Sequence, residues 1–315
     1  MLRRILALVA LLVLVAVPFL APWTKTFLLL ALAKGLAVLA VIILLQAGQV
    51  SFGHALFFAA GAYAVAFVGR ALAGGELFGL LAVSLLVSAA FGLAIGLFVV
   101  RYRYIFFGML NLAFSMVLYS ILEKFFHLTG GSDGIRVLRP SILGVTLERN
   151  GFELALYFIT LALSIVLAAG VTRYLASPLG QALGAIKSNE TRLEYLGVSA
   201  RRVLLIAYVV SAVLAGLGGA ITALMQGLAT PDYAFWVRSG EFVFIAILGG
   251  AGHVAGAFVG SLVYEGIRSY AAVLFADGWQ LVLGSILILV VLFAPQGIVG
   301  LWQRLMGRLS QKVAP

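Results

Sequence analysis

The sequence predicts an all-α, polytopic integral membrane protein of about ten transmembrane helices (8–10). Three observations carry that expectation. Of the 315 residues, 63% are apolar and only 10% charged, where soluble domains carry about 25% charged residues. Mean hydropathy is +1.16. The apolar residues fall in long runs, many of them near the ~20 residues that cross a bilayer as a helix. A soluble enzyme, a secreted disulfide scaffold and a disordered chain are thereby excluded. With no cysteine in the chain, disulfides and thiolate metal sites are excluded as well.

In chain order the runs are Ile5–Leu20, Phe27–Leu45, Ala55–Val68, Leu77–Val100, Tyr104–Leu122, Phe152–Tyr174, Val203–Gln226, Phe242–Leu248, Ala255–Phe275 and Gln280–Gly300. Outer-membrane strands alternate polar and apolar residues, and these runs do not. The first run follows Arg3 and Arg4, as in a signal peptide. No clear small-x-small cleavage site precedes a polar start, so it reads as an uncleaved helix. Glu241–Phe275 is long for one crossing and short for two, and the glycine-rich stretch Gly249–Gly256 interrupts it. A broken or re-entrant pair fits, because irregular backbone at membrane depth must be buried in protein or line a cavity. Counted as two short crossings, it completes ten. Small residues four apart, such as Gly216 with Ala220 and Gly256 with Gly260, allow helices to approach closely.

Charge sets the orientation. The net charge is +10, and basic residues are retained on the cytoplasmic side of membrane proteins. An internal N-terminus makes Arg101, Arg103, the Arg173–Arg202 segment and the Arg304–Lys312 tail cytoplasmic. Twelve of the 21 Lys/Arg residues then lie inside and eight outside, with Lys34 within a span. Both termini are expected in the cytoplasm. The chain reads as one transmembrane domain over 1–315, with a cytoplasmic segment at 177–202 and a non-cytoplasmic loop at 123–151.

Polar residues inside such a chain mark candidate sites. Gln46 to His54 packs Gln49, Ser51, Gly53 and His54 between two apolar runs. It is either a tight surface turn or, the preferred reading, a broken segment beside a translocation pathway, as in many transporters. Asn111 is either an interhelical hydrogen-bond partner or part of that path. Glu265 and Arg268 lie one turn apart and are expected to pair. On the non-cytoplasmic side, Thr129, Gly130, Gly131 and Asp133 lie in a turn-rich loop whose backbone N–H groups can face a carboxylate.

The third informative segment is cytoplasmic. Ser177 and Pro178 suit an N-cap and first helical position, and Gly197 a helix end. Between them Ala182, Leu183 and Ile186 form an apolar side, with Glu190 and Glu194 elsewhere around the helix. Such a helix lies on headgroups or docks in a partner's groove. Leu183 and Ile186 are expected to fill that groove, with Glu190 on its rim. Phosphate-binding, nucleophile and metalloprotease motifs are missing, and His54, His127 and His253 lack metal-ligand spacing. No catalytic residue and no metal site is expected. The energy for any work must come from an ion gradient or another subunit.

At these same residues the chain resembles the branched-chain amino acid permeases of bacterial ABC importers, of the LivM type. The resemblance runs from about Gln46 to Ser269. It rests on Gly48–Ala55 with Gly61-Ala62-Tyr63, on Leu128–Gly134, on Ser177–Leu183, on Asn189-Glu190 to Leu196-Gly197, and on Leu248–Gly252 with Gly256. It implies a transport subunit without catalysis of its own, in a bacterial or archaeal cytoplasmic (inner) membrane. The implied partners are a second, related permease, two cytoplasmic ATP-binding subunits holding ATP and Mg, an external or periplasmic substrate-binding protein, and membrane lipid. No nucleic acid and no cofactor of this chain is implied. Residues Gly180, Ala182, Leu183, Ile186, Glu190, Glu194 and Gly197 would then couple to an ATPase. Two alternatives stand beside this reading: an ion-driven secondary transporter of a small polar solute, and the same importer type carrying urea or short amides.

Overall fold

A computed structural model describes residues 12–21, 24–274, 278–294, 296–302 and 304. Arg3, Arg4 and the tail beyond residue 304, on which the expected orientation partly rests, lie outside the described residues. Each of the ten apolar runs contains a helix. These are α1 (12–20), α2 (Thr24–Gln46), α3 (His54–Ala71), α4 (Leu77–Val99), α5 (Tyr104–Lys124), α7 (Arg149–Ala176), α9 (Ala200–Gln226), α10 (Trp236–Gly249), α11 (Val254–Leu274) and α12 (Trp279–Phe293). Between them lie a single-turn helix α6 (Phe126–Thr129) and the polar helix α8 (Pro178–Tyr195).

Six of these helices are long and apolar enough to span a membrane. A seventh span arises if α10 and α11, bent by 110° at their break, count as one. The expected ten counts those arms separately and adds the two terminal runs. The chain is thus a helical membrane protein with one broken pair, and its only paired strands among the described residues are two-residue segments. β1 (Ile135–Arg136) runs antiparallel to β2 (Leu228–Ala229), tying the loop after α5 to the connection after α9.

The core is α9 packed against α2, α3 and α4. Hydrophobicity cannot drive helices together in lipid, so close contact of small residues must do it. A Cβ built on Gly219 would sit 1.8 Å from the Phe58 carbonyl oxygen, and one on Gly61 would sit 2.0 Å from that of Gly216. Neither backbone can yield without separating α3 from α9. Gly219→Val is therefore expected to cost more than the ~1–3 kcal/mol typical of overpacking. Thermal aggregation in detergent, followed by size exclusion, should show loss of the monodisperse peak. A wild-type melting curve would contradict this account of the interface.

Local chemistry sets the helix ends. Glu76 accepts the Gly79 N–H at 2.9 Å at the start of α4. Gly227, at φ +69°, closes α9 by donating its N–H to the Ala223 carbonyl at 2.8 Å. One end of the bundle gathers the 47–50 connection, the α4–α5 turn and α8: Arg103 pairs with Glu190, and Gly48 abuts Lys187. That end carries Arg101, Arg103, Arg173, Lys187, Arg192, Arg201 and Arg202 and is called the basic face below. The opposite end holds the α3–α4 turn, where Leu77 donates its N–H to the Ser141 carbonyl at 2.9 Å, and the β1–β2 pair.

Candidate functional site

Residues 47–53 form a non-helical connection between α2 and α3 that enters the protein interior. Its residues alternate. Gln49, Ser51 and Gly53 point inward and are buried, as is His54, whereas Val50 is 36% exposed and Phe52 half-buried. An extended stretch has a side-chain period of two, so the polar groups fall on one side and the apolar ones on the other. The Tyr104 N–H donates to Gln49 Oε1 at 2.9 Å, fixing the segment to the start of α5. A Cβ on Gly53 would meet the Asn111 carbonyl oxygen at 2.4 Å, so the chain there presses against the middle of α5.

His54 lies at the centre of a buried network. Its Nδ1 is 2.9 Å from Ser51 Oγ and its Nε2 is 3.2 Å from Ser211 Oγ. Ser211 donates its own proton to the Tyr208 carbonyl at 2.8 Å. It must therefore accept from His54 Nε2–H, which leaves Nδ1 to accept from Ser51. Tyr208 Oη donates to Asn111 Oδ1, and Asn111 Nδ2 donates to the Phe107 carbonyl at 2.8 Å. Asn111 is thus an interhelical hydrogen-bond partner, one of the two expected roles. Two further buried serines tie α10 and the 231–234 turn to the same core. Ser239 of α10 accepts the Ala55 N–H at 2.8 Å, and Ser115 of α5 donates to the Ala234 carbonyl at 2.7 Å. Tyr208, Ser211, Ser115 and Ser239 were not singled out in sequence. Single serines and a tyrosine within apolar runs carry no local signal.

The outward side of the same segment lines a groove. Gly48, Val50 and Phe52 face Tyr104, Ile105, Gly108, Met109 and Leu112 of α5 around a space of about 570 Å³. Ile105 and Met109 are 73% and 62% exposed.

Thr129, Gly130, Gly131 and Asp133 lie at the other end of α5, a helix of 21 residues and so ~32 Å long. The two sets of expected pathway residues are therefore not brought together. Thr129 is buried and its hydroxyl donates to the Phe125 carbonyl at 2.8 Å, capping α5. Gly130 and Gly134 have φ of +72° and +73°, and a Cβ on either would strike backbone oxygen, that of Gly134 and of Ala229 respectively. The loop is a tight, glycine-dependent turn folded over the bundle, with Asp133 exposed. Beside it, a cavity of about 410 Å³ is lined by Arg70, His127 and Arg136.

The α8 helix forms where expected, with Ser177 accepting the Gly180 N–H and Gly197 at φ +80° ending it. Two expectations are corrected. Leu183 and Ile186 are 0% and 4% exposed, and α8 packs on α7 and α9, so its apolar side anchors it to this chain rather than to a partner. Gly180 serves the same packing: a Cβ there would be 2.3 Å from the Tyr174 carbonyl oxygen. Glu190 is no rim charge, since it holds Arg103 through two bonds of 2.8 and 2.6 Å. Ala182 is half-buried, while Gly184 and Glu194 are exposed. Helical geometry breaks at Asn189 (φ −163°), whose Oδ1 accepts the Arg192 N–H at 2.9 Å and caps a second short helix. Beyond it, Tyr195 and Leu196 stand 87% and 75% exposed.

The expected Glu265–Arg268 pair is present only at 3.9 Å. Glu265 also contacts Lys34 of α2, which in turn contacts Glu241 of α10. Lys34 is 1% exposed.

Residues 24–292 match the family described as branched-chain amino acid transport system / permease component. The high-affinity branched-chain amino acid transport system permease protein LivM of Escherichia coli (strain K12) is 28% identical, covering 94% of this chain and 75% of its own length. The high-affinity branched-chain amino acid transport system permease protein BraD of Pseudomonas aeruginosa is 30% identical over 42% of this chain and 43% of its own. LivH, a further permease protein of Escherichia coli (strain K12), is 28% identical over 39% of this chain and 40% of its own. No solved structure matches.

Proposed function

This chain belongs to the branched-chain amino acid transport permease family, and from that premise we propose that it is one transmembrane half of an ATP-driven importer. Its partners are a second permease of the LivH kind, two ATP-binding subunits at the basic face and a substrate-binding protein at the opposite face. Its cargo is an amino acid with an apolar side chain. The relatives named LivM and LivH support a pair of permeases. The basic face is cytoplasmic by the charge rule.

The observation that carries this reading is the groove along α5. Non-helical backbone at residues 47–53 borders it at the depth of Asn111 and Ser211, and bare backbone cannot face lipid. We read the second permease, or the pathway itself, as covering that side. The groove is lined mainly by aliphatic and aromatic side chains, with Gly48 and Gly108 among them, which suits passage of an apolar side chain without holding it. An ion-driven carrier needs a carboxylate free to load its ion. Glu241 and Glu265 are both engaged by Lys34, with Arg238 and Arg268 beside them.

Alternation at 49–52 gives a direct test, made clean by the absence of cysteine. Val50→Cys in the assembled transporter should react with a membrane-impermeant maleimide at a rate that changes when ATP hydrolysis is trapped. Ser51→Cys, buried in the network, should stay unlabelled. Equal labelling at both positions in every state would identify a surface turn and remove the pathway role.

A further inference from the structure

The buried charges of α2, α10 and α11 have no part in the pathway just described. Lys34 lies within a 23-residue helix that is long and apolar enough to span a membrane, and its ammonium contacts one carboxylate from each arm of the bent pair, Glu241 on α10 and Glu265 on α11. Placing a lysine at this depth is costly, and such residues are retained where they act. The two arms meet glycine to glycine beside the break. A Cβ on Gly249 would be 1.9 Å from the Gly256 carbonyl oxygen, and Gly250 takes a φ of +109°. Gln46 of α2 donates to the Ala251 carbonyl at 2.9 Å, pinning the break itself to α2. Above that pinned point, Lys34 is the charged link between α2 and both arms.

Each carboxylate also has an arginine one turn away on its own arm. Arg238 Nη1 is 3.6 Å from Glu241 Oε2, and Arg268 Nη1 is 3.9 Å from Glu265 Oε1. Either carboxylate can therefore leave Lys34 and keep a cationic partner, which avoids the penalty of a bare buried charge. There is room for the movement. A space of about 440 Å³ lies between α10, α11 and α12, lined by Glu241, Phe244, Tyr264 and Leu287 among others.

We propose that Lys34 is a latch, shared in this state by both arms of the bent pair, which releases one arm in each half of the transport cycle. The released carboxylate falls back on its own arginine, Glu241 on Arg238 or Glu265 on Arg268, and the angle between the arms changes. In this role Lys34, Glu241 and Glu265 are positioning residues, acting through the angle between the arms. The inference rests on the importer reading above, because the cycle that drives the exchange is that of the partner ATPase.

Spin labels at exposed sites on the two arms, Val237→Cys and Tyr270→Cys, report the angle as a distance by pulsed electron resonance. The assembled transporter is measured without nucleotide and after trapping with ATP and vanadate, which holds ADP and vanadate at the partner ATPase, and uptake is assayed on the same preparations. The expected result is two distance populations whose ratio shifts by roughly tenfold between the states. Glu241→Gln leaves Lys34 to Glu265, and Glu265→Gln leaves it to Glu241. Each should collapse the pair to a single population, at opposite extremes, with melting temperature retained. A merely structural cluster would not lock in opposite directions. Uptake with one invariant distance, or a nucleotide shift unaltered in both glutamine variants, overturns the latch alone. No ATP-driven uptake by the wild type overturns the importer reading and the latch with it.

Discussion

Lys34→Met is expected to destabilise the folded chain by about 3–5 kcal/mol, the usual cost of removing one partner from a buried ion pair. The substitution keeps the aliphatic stem but leaves Glu241 and Glu265 side by side at the junction of α2, α10 and α11. The side chain of Glu265 is 3% exposed and that of Glu241 14%, so water relieves little of their repulsion. Adding Glu265→Gln should recover much of the loss, since the remaining carboxylate has Arg238 at 3.6 Å. Strong non-additivity of this kind is the mark of groups in one network. Unfolding of the detergent-solubilised protein, compared across wild type, single and double variants, checks it. If the double variant is as unstable as the sum of the singles, the three residues do not form one cluster.

The second large effect concerns the two sides of α8. Leu183→Asp places a carboxylate at a fully buried position between α8 and the bundle, and a carboxylate desolvated without a partner is costly. That variant should fail to fold or insert, and loss of ATPase binding would follow only indirectly. Tyr195→Asp with Leu196→Asp alters side chains that are 87% and 75% exposed. They should leave the melting temperature unchanged while removing anchors of a protein interface, each worth ~2–4 kcal/mol where it is central. Co-purification of the ATP-binding subunits with each variant, alongside thermal stability, separates the two effects. A stable Leu183→Asp variant, or full ATPase retention by the Tyr195/Leu196 variant, would reassign the docking side.

Most of the helical organisation was legible in sequence, because long apolar runs and glycine breaks depend on local composition. The N-cap at Ser177, the helix end at Gly197 and the broken pair around Gly249–Gly256 could be read for the same reason. What could not be read depends on which neighbour a face meets. The amphipathic side of α8 looks the same whether it docks on a partner or on its own α9. Lys34 and its two carboxylates are far apart in the chain, and α2 is apolar on every side, so no periodicity points to the pairing. One signal was available: few ionisable residues lie near the middle of the spans, and opposite charges there must find each other. The alternation of Gln49, Ser51 and Gly53 against Val50 and Phe52 was also visible.

Uptake by the reconstituted complex tests the central claim most directly. Proteoliposomes would hold this chain, its related permease and both ATP-binding subunits, with the binding protein outside and labelled leucine as cargo. Accumulation should require ATP within the vesicles and binding protein outside them, and should survive ionophores that collapse proton and sodium gradients. Accumulation driven by an ion gradient, with no ATP and no partner ATPase, would contradict the account.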